Sequence, residues 1–195
     1  GKGLPEVRKL NKEGQPSDHG HEAKSAELTV QIMKRLRYPD KFSKLVTWLV
    51  AEHMRFAPML ISGEKTLLRW VRSEATSGTF RNQTELTYAY KQLVEVFLAD
   101  MEATHARKNP TLMENGRALG EQVIELAREK MPVANSDLAI SGKDLLEIIP
   151  KEQIKNALSY LLERVQSGNL PNEKEALLTA MQKHLQKTLK GNDDE

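Results

Sequence analysis

Residues 83–104 read QTELTYAYKQLVEVFLADMEAT, and this stretch decides the fold. Leu86, Tyr90, Leu93, Val94, Phe97 and Met101 recur at intervals of three and four, which lays one apolar stripe along a long helix. Asn82, with Glu85 three residues later, is a capping pair that places the start of this helix near Gln83. Asp100 projects from its final turns.

Moving toward the N-terminus, a shorter helix is expected over Glu64 to Arg72, and the turn residues TSGTF (76–80) end the pattern. Pro39 suits the first turn of another helix, with Phe42, Leu45, Val46, Leu49 and Val50 as its inner face and His53 in its last turn. A further amphipathic helix begins near His21, with Ala23, Ala26, Val30 and Met33 as its stripe. Moving toward the C-terminus, Asn109 and Pro110 are cap and first residue of a helix reaching about Lys130, with Leu119, Val123 and Leu126 on one side. The segment MPVANSD (131–137) interrupts it and marks a boundary between residues 1–131 and 132–195. Ser141 and Asp144 cap a short helix, Pro150 forces a new start, and helices over 151–166 and 173–190 follow, the last entered through Asn172 and Glu175. The GNDDE tail (191–195) is expected to fray. No period-two alternation and no internal repeat competes with this pattern, so the fold class is all-α, a helical bundle with a smaller helical C-terminal part.

Composition narrows the function classes. A chain of 195 residues that is 39% hydrophobic and 29% charged is an ordinary globular protein. A net charge of +2 does not by itself announce a nucleic-acid partner. The absence of cysteine excludes disulfides, thiolate catalysis and cysteine-ligated zinc. No apolar run approaches the ~20 residues that span a bilayer, and the opening GKGLPEVRKLNKEG lacks an apolar signal region, so the cytoplasm is the expected compartment and no membrane partner is expected.

Several residues are candidates for chemistry. His19 and His21 lie in a polar turn entering a helix, where imidazole binds metal or phosphate or is simply solvated. His53 and Asp100 lie on partly apolar sides of their helices, where a partner must offset desolvation. Lys65, Arg69 and Arg72 share a helix face; Lys34, Arg35 and Arg37 form a second basic cluster; Lys143 and Lys155 form a third. Each is a phosphate-binding face or an ordinary solvated one, with Asp40, Glu64 and Glu74 softening the field. Trp48 and Trp70 fall on apolar faces and are expected to pack in the core rather than stack on bases.

GHEAKSAEL (20–28), LVAEHM (49–54) and FLADMEA (97–103) follow one another in the order of the later ligand segments of HD-domain proteins, and Gly1, Lys2 and Gly3 resemble the residues after that family's His-Asp pair. LAISGKDLLEII (138–149) and ALSYLLERVQSGNLPNEKEALL (157–178) resemble the closing region of the tRNA nucleotidyltransferase family, the CCA-adding enzymes and bacterial poly(A) polymerases. PKEQIKN (150–156) replaces that family's usual glycine-containing turn. The resemblance implies a chain that starts partway through an HD-like domain, without the upstream His and His-Asp pair. His21, His53 and Asp100 would be remnant metal positions, and Lys2, Lys65, Arg69, Arg72 and Lys143 would meet phosphate or RNA. It implies no catalytic residue and no cofactor in this chain; magnesium and ATP or CTP belong to an N-terminal nucleotidyltransferase domain, absent here, that would be its partner. The function so implied is to hold tRNA for a CCA-adding or A-adding enzyme, with the isolated chain inactive. An HD-type metal-dependent phosphohydrolase is the alternative, and a helical interaction module a third reading.

Overall fold

The computed structural model describes residues 1–61 and 63–191, apart from the side chains of 105, 106 and 187–191. The described elements are overwhelmingly helical, as the periodicity requires. A two-residue antiparallel pair, β1 (Lys9–Leu10) and β2 (Pro16–Ser17), is an addition that periodicity does not reveal. It is held by a turn in which Asn11 Oδ1 accepts the amides of Glu13 and Gln15 at 3.0 and 2.8 Å. Beyond Gly191 the tail lies outside the described residues.

The chain divides into two compact units, each discontinuous in sequence: residues 1–63 with 89–121, and residues 64–88 with 122–195. The expected 132–195 part lies wholly within the second unit, joined there by the helix before residue 88 and the segment before residue 131.

In the first unit α1 (His21–Arg35) packs on α2 (Asp40–Glu52), and α3 (Phe56–Met59) follows. The inward side of α1 differs from the expected stripe. His21 and Met33 are buried, whereas Ala23 and Val30 are exposed. On α2 the buried residue is Trp48, and Phe42 turns outward at 47% exposure against Tyr38, ring centroids 5.4 Å apart. Both shifts have one cause: a stripe of three-and-four spacing is wide enough for two rotations, and the neighbouring helix selects one. The second part of α5 (Gln83–Ala103) supplies the core of this unit, with Phe97 stacked on Phe56 at 4.6 Å and Tyr90 edge-on to Trp48 at 5.4 Å. The start of α6 (Pro110–Glu125) is capped by Asn109, whose Oδ1 accepts the Leu112 amide at 3.1 Å. Its Gly116 and Gly120, one turn apart, let it approach α5 so closely that a Cβ would stand 2.6 Å from Met101 Sδ and 2.6 Å from Val94 Cγ1 respectively.

The second unit begins with α4 (Glu64–Thr76), one turn longer than expected because Ala75 is buried and Thr76 Oγ1 bonds the Arg72 carbonyl. Leu67, Trp70 and Val71 form its inner face, so Trp70, like Trp48, is a core residue. Asn82 caps α5 through the Glu85 amide at 2.9 Å, while the Glu85 carboxylate turns back to Arg81 instead of completing the box. A π-helical turn, 126–130, prolongs α6 and packs on α4. Next come a 3₁₀ turn (135–137), α7 (Gly142–Leu145), α8 (Ile154–Gln166) and α9 (Lys174–Gly191). Leu138, Ile140, Leu145, Ile149, Leu161 and Leu177 are the centre of their shared core. The expected α9 cap is corrected here. Asn172 does not serve that helix; its amide accepts from Ala139 N at 2.8 Å and donates to Asp137 O at 2.9 Å. The 131–137 segment needs those polar partners more than a helix end that water can reach.

The two glycines of α6 should differ on substitution. Gly120→Ala meets the branched, stiff Val94 and is expected to lower stability by about 1–3 kcal/mol through overpacking. Gly116→Ala meets the flexible end of Met101 and should cost less, because the gain in helix propensity of ~1 kcal/mol partly offsets the contact. Urea melts of both variants give the comparison; equal stabilities would exclude the close-approach explanation.

Candidate functional site

Two imidazoles, 32 residues apart in sequence, meet in the first unit: His21 Nε2 and His53 Nε2 are 3.3 Å apart. His21 opens α1 and His53 closes α2, so the packing of this helix pair creates the contact. Each ring is oriented from behind. His21 Nδ1 lies 2.8 Å from the Asp18 carbonyl oxygen and His53 Nδ1 lies 2.7 Å from that of Val50. A carbonyl only accepts, so both Nδ1 atoms carry the hydrogen and both Nε2 atoms present lone pairs to one another. Facing lone pairs call for an electrophile between them, a shared proton or a metal ion. Tetrahedral ligands at ~2.0–2.1 Å from zinc stand ~3.3–3.4 Å apart, so the separation fits two of the four positions around one ion.

The Asp18 backbone that orients His21 is itself tied down. Its carboxylate takes Arg8 Nε and Nη2 at 3.2 and 2.9 Å and the Gly3 amide at 3.0 Å. The Arg8 guanidinium first, and then the Gly3 amide, pull Asp18 down to about 2. Asp18 was not among the sequence candidates; a polar Asp three residues before a helix-opening His is the signal that points to it.

The third expected metal position, Asp100, is solvent-exposed, and among the described residues no group of three or more His, Asp or Glu side chains is arranged to hold a metal. Glu22 approaches the His21 ring on its Nδ1 side, at 3.6 Å, away from the facing nitrogens. Lys2 and His19 are exposed.

On α4, Lys65 and Arg69 are exposed on the face opposite Leu67, Trp70 and Val71. Arg72 continues the row but is half-buried; its Nε is enclosed without a hydrogen-bond partner. A Cβ added at Gly168, which has φ +75°, would stand 3.2 Å from Arg72 Nη2. The three cations are thus not equivalent: two face solvent, and the third packs against the 167–170 loop.

Lys143 is exposed on α7. Beside it lies an open recess of about 480 Å³, with Asn135, Ser136, Ser141 and Asp144 as polar lining and Ile140 and Leu158 as apolar lining. Asp144 closes the recess at the α7 cap: its carboxylate accepts the Ser141 amide and hydroxyl at 2.8 and 2.7 Å and pairs with Lys174 of α9. The Lys174 ammonium, then the Ser141 donors, hold its carboxyl well below the ordinary 3.8. The depressed folded value means that this contribution to stability is complete above pH ~4 and disappears as the pH falls through the folded value. Acid titration followed by amide exchange at α7 should therefore show the cap opening below pH ~4, and Asp144→Asn should remove that step while leaving α7 weaker at neutral pH. A wild-type cap as well protected at low pH as at neutral pH would contradict this.

Residues 61–181 match the tRNA nucleotidyltransferase domain 2 family, a span that contains α4, the recess and the Asp137–Asn172 linkage. An A-adding tRNA nucleotidyltransferase of Deinococcus radiodurans is 30% identical over 166 residues, which is 84% of this chain and 35% of the relative. The chain therefore spans about a third of the length of that curated relative. No solved structure gives a significant match. With the family match covering well over half of the residues, and its helices built as the sequence motifs require, the chain belongs to the tRNA nucleotidyltransferase family.

Proposed function

We propose that this chain is the helical part of a CCA-adding or A-adding tRNA nucleotidyltransferase that holds tRNA, and that nucleotide transfer is carried out by a domain outside it. The observation that carries this reading is the α4 surface within the family-matched segment. Lys65 and Arg69 are exposed one turn apart on a helix anchored by the buried Leu67, Trp70 and Val71. A-form RNA is gripped through phosphates, 2′-hydroxyls and shape, which calls for cations on a rigid scaffold rather than base-reading side chains. Arg72 supports that surface from beneath, against the Gly168 loop. Magnesium and ATP or CTP are then held by the N-terminal nucleotidyltransferase domain, the partner of this chain in the cytoplasm. Lys2 and Lys143 are outlying phosphate contacts of the same kind. No helix among the described residues is long and apolar enough to cross a membrane.

The purified chain should bind tRNA without incorporating labelled ATP or CTP into it. Affinity should fall with salt, and a Lys65→Ala, Arg69→Ala variant should flatten the slope of log affinity against log salt by roughly 1–2, two phosphate contacts' worth. An unchanged slope in a folded variant would return this face to the solvated surface.

One observation favours a second reading, a metal-dependent phosphohydrolase of HD type: the facing His21 and His53 Nε2 atoms. They would hold one metal ion between them. A bound ion supplies Lewis acidity and an activated water. Cobalt(II) titration should give visible absorption of an imidazole-ligated ion and raise the melting midpoint, and His53→Ala should abolish both. Silence in the wild-type chain would remove this reading and leave the pair as a structural contact.

A further inference from the structure

Helix α1 ends in a way that its own stability does not explain. Arg37 has φ +56°, the sole non-glycine among the described residues in the left-handed region. It closes the helix as glycine normally does: the Arg37 amide donates to Lys34 O at 3.1 Å and the Tyr38 amide to Met33 O at 3.1 Å. Glycine adopts this conformation without the Cβ clash that arginine suffers, so the arginine is the less stable choice for the fold. Lys34 and Arg35, in the last turn, complement the helix dipole, but Arg37 lies beyond it.

The surroundings point to what the side chain does. Lys34, Arg35 and Arg37 are all exposed, and no hydrogen bond or ion pair engages their side chains within the described residues. Some cations of the same unit are paired with carboxylates, Arg8 with Asp18, Lys24 with Glu6 and Glu27, and Arg55 with Glu52, whereas these three crowd one turn without a partner among the described residues. Next to the three free cations, the exposed rings of Tyr38 and Phe42 touch each other at 5.4 Å and 44°. Asp40 is the acidic side chain within this turn. Free cations beside exposed aromatic rings suit a polyanion with unstacked bases: phosphates meet the cations and a base lies on a ring face. Duplex RNA offers phosphates but no free base face, so the rings favour a single-stranded segment.

We propose that the α1–α2 turn is a second RNA contact, in which Arg37, with Lys34 and Arg35, holds the backbone of an unpaired RNA segment while Tyr38 and Phe42 receive one of its bases. It rests on the reading of this chain as tRNA-binding, and adds a site in the other unit from α4.

The strained conformation provides a test in which misfolding cannot imitate the result. Arg37→Gly should raise the melting midpoint, because glycine suits the backbone there, yet weaken binding of the full chain to a short single-stranded RNA several-fold. Tyr38→Ala with Phe42→Ala should weaken single-stranded binding while sparing a blunt RNA duplex. A Lys34→Ala, Arg35→Ala, Arg37→Gly variant should flatten the log–log salt slope for the single strand by roughly 2, given ~0.7 per phosphate contact. Wild-type binding to tRNA that none of these variants alters would overturn this site and leave the α4 reading standing. Failure of the wild-type chain to bind tRNA or single-stranded RNA would overturn both.

Discussion

The second unit depends on one carboxylate. Asp137 Oδ2 accepts the backbone amides of Val133 and Ala134 at 3.0 and 2.9 Å and that of Gln83, at the start of α5, at 2.9 Å. Amides withdrawn from water must find an acceptor, and an ionised oxygen is a stronger one than a carbonyl. The same residue's carbonyl takes Asn172, whose side chain also holds the Ala139 amide, and Gln166 holds the Pro132 carbonyl at 3.0 Å. Two distant stretches of chain, the start of α5 at Gln83 and the 166–172 region, are thereby fixed to the irregular 131–137 segment.

The first unit is held differently, by shape. Gly116 and Gly120 bring α6 against Val94, Phe97 and Met101 of α5, and ring packing of Phe56 on Phe97 and Trp48 on Tyr90 fills the other side of that helix. Apolar burial and dispersion act over the whole contact and so tolerate small shifts, but a close-packed pair of helices does not tolerate an added methyl against a branched side chain. Polar side chains here therefore orient one another locally rather than hold the unit together. The orientation of His21 and His53 by backbone carbonyls is an example: the protein fixes which nitrogen carries hydrogen, and leaves two lone pairs facing each other.

Charge pairing separates scaffold from surface. Most exposed ion pairs here contribute little to stability, since solvent screens them. Within the described residues, Lys65 and Arg69 on α4 and the cluster around Arg37 are among the cations without a carboxylate, and they are set apart by sitting close together on one helix face or one turn. Arg72 shows the limit of reading such rows by spacing alone. It belongs to the Lys65–Arg69 row by helical period, yet its guanidinium is spent on packing against the Gly168 loop.

The sequence alone determined what is local. Helix positions, the Asn82, Asn109 and Ser141 caps, the break at Pro150 and the core placement of both tryptophans follow from three-and-four spacing and from hydrogen bonds spanning a few residues, and the family motifs in 138–178 are contiguous. Tertiary structure decided which rotation of each amphipathic helix faces inward, so that Val30 and Phe42 turned out and His21 turned in. It also redirected Asn172 from a local cap to a distant strand of backbone, and it brought His21 to His53 while leaving Asp100 in solvent. These outcomes depend on partners far away along the chain. A stripe or a polar side chain has several local solutions of similar energy, and packing against a distant element is what lowers one of them below the rest.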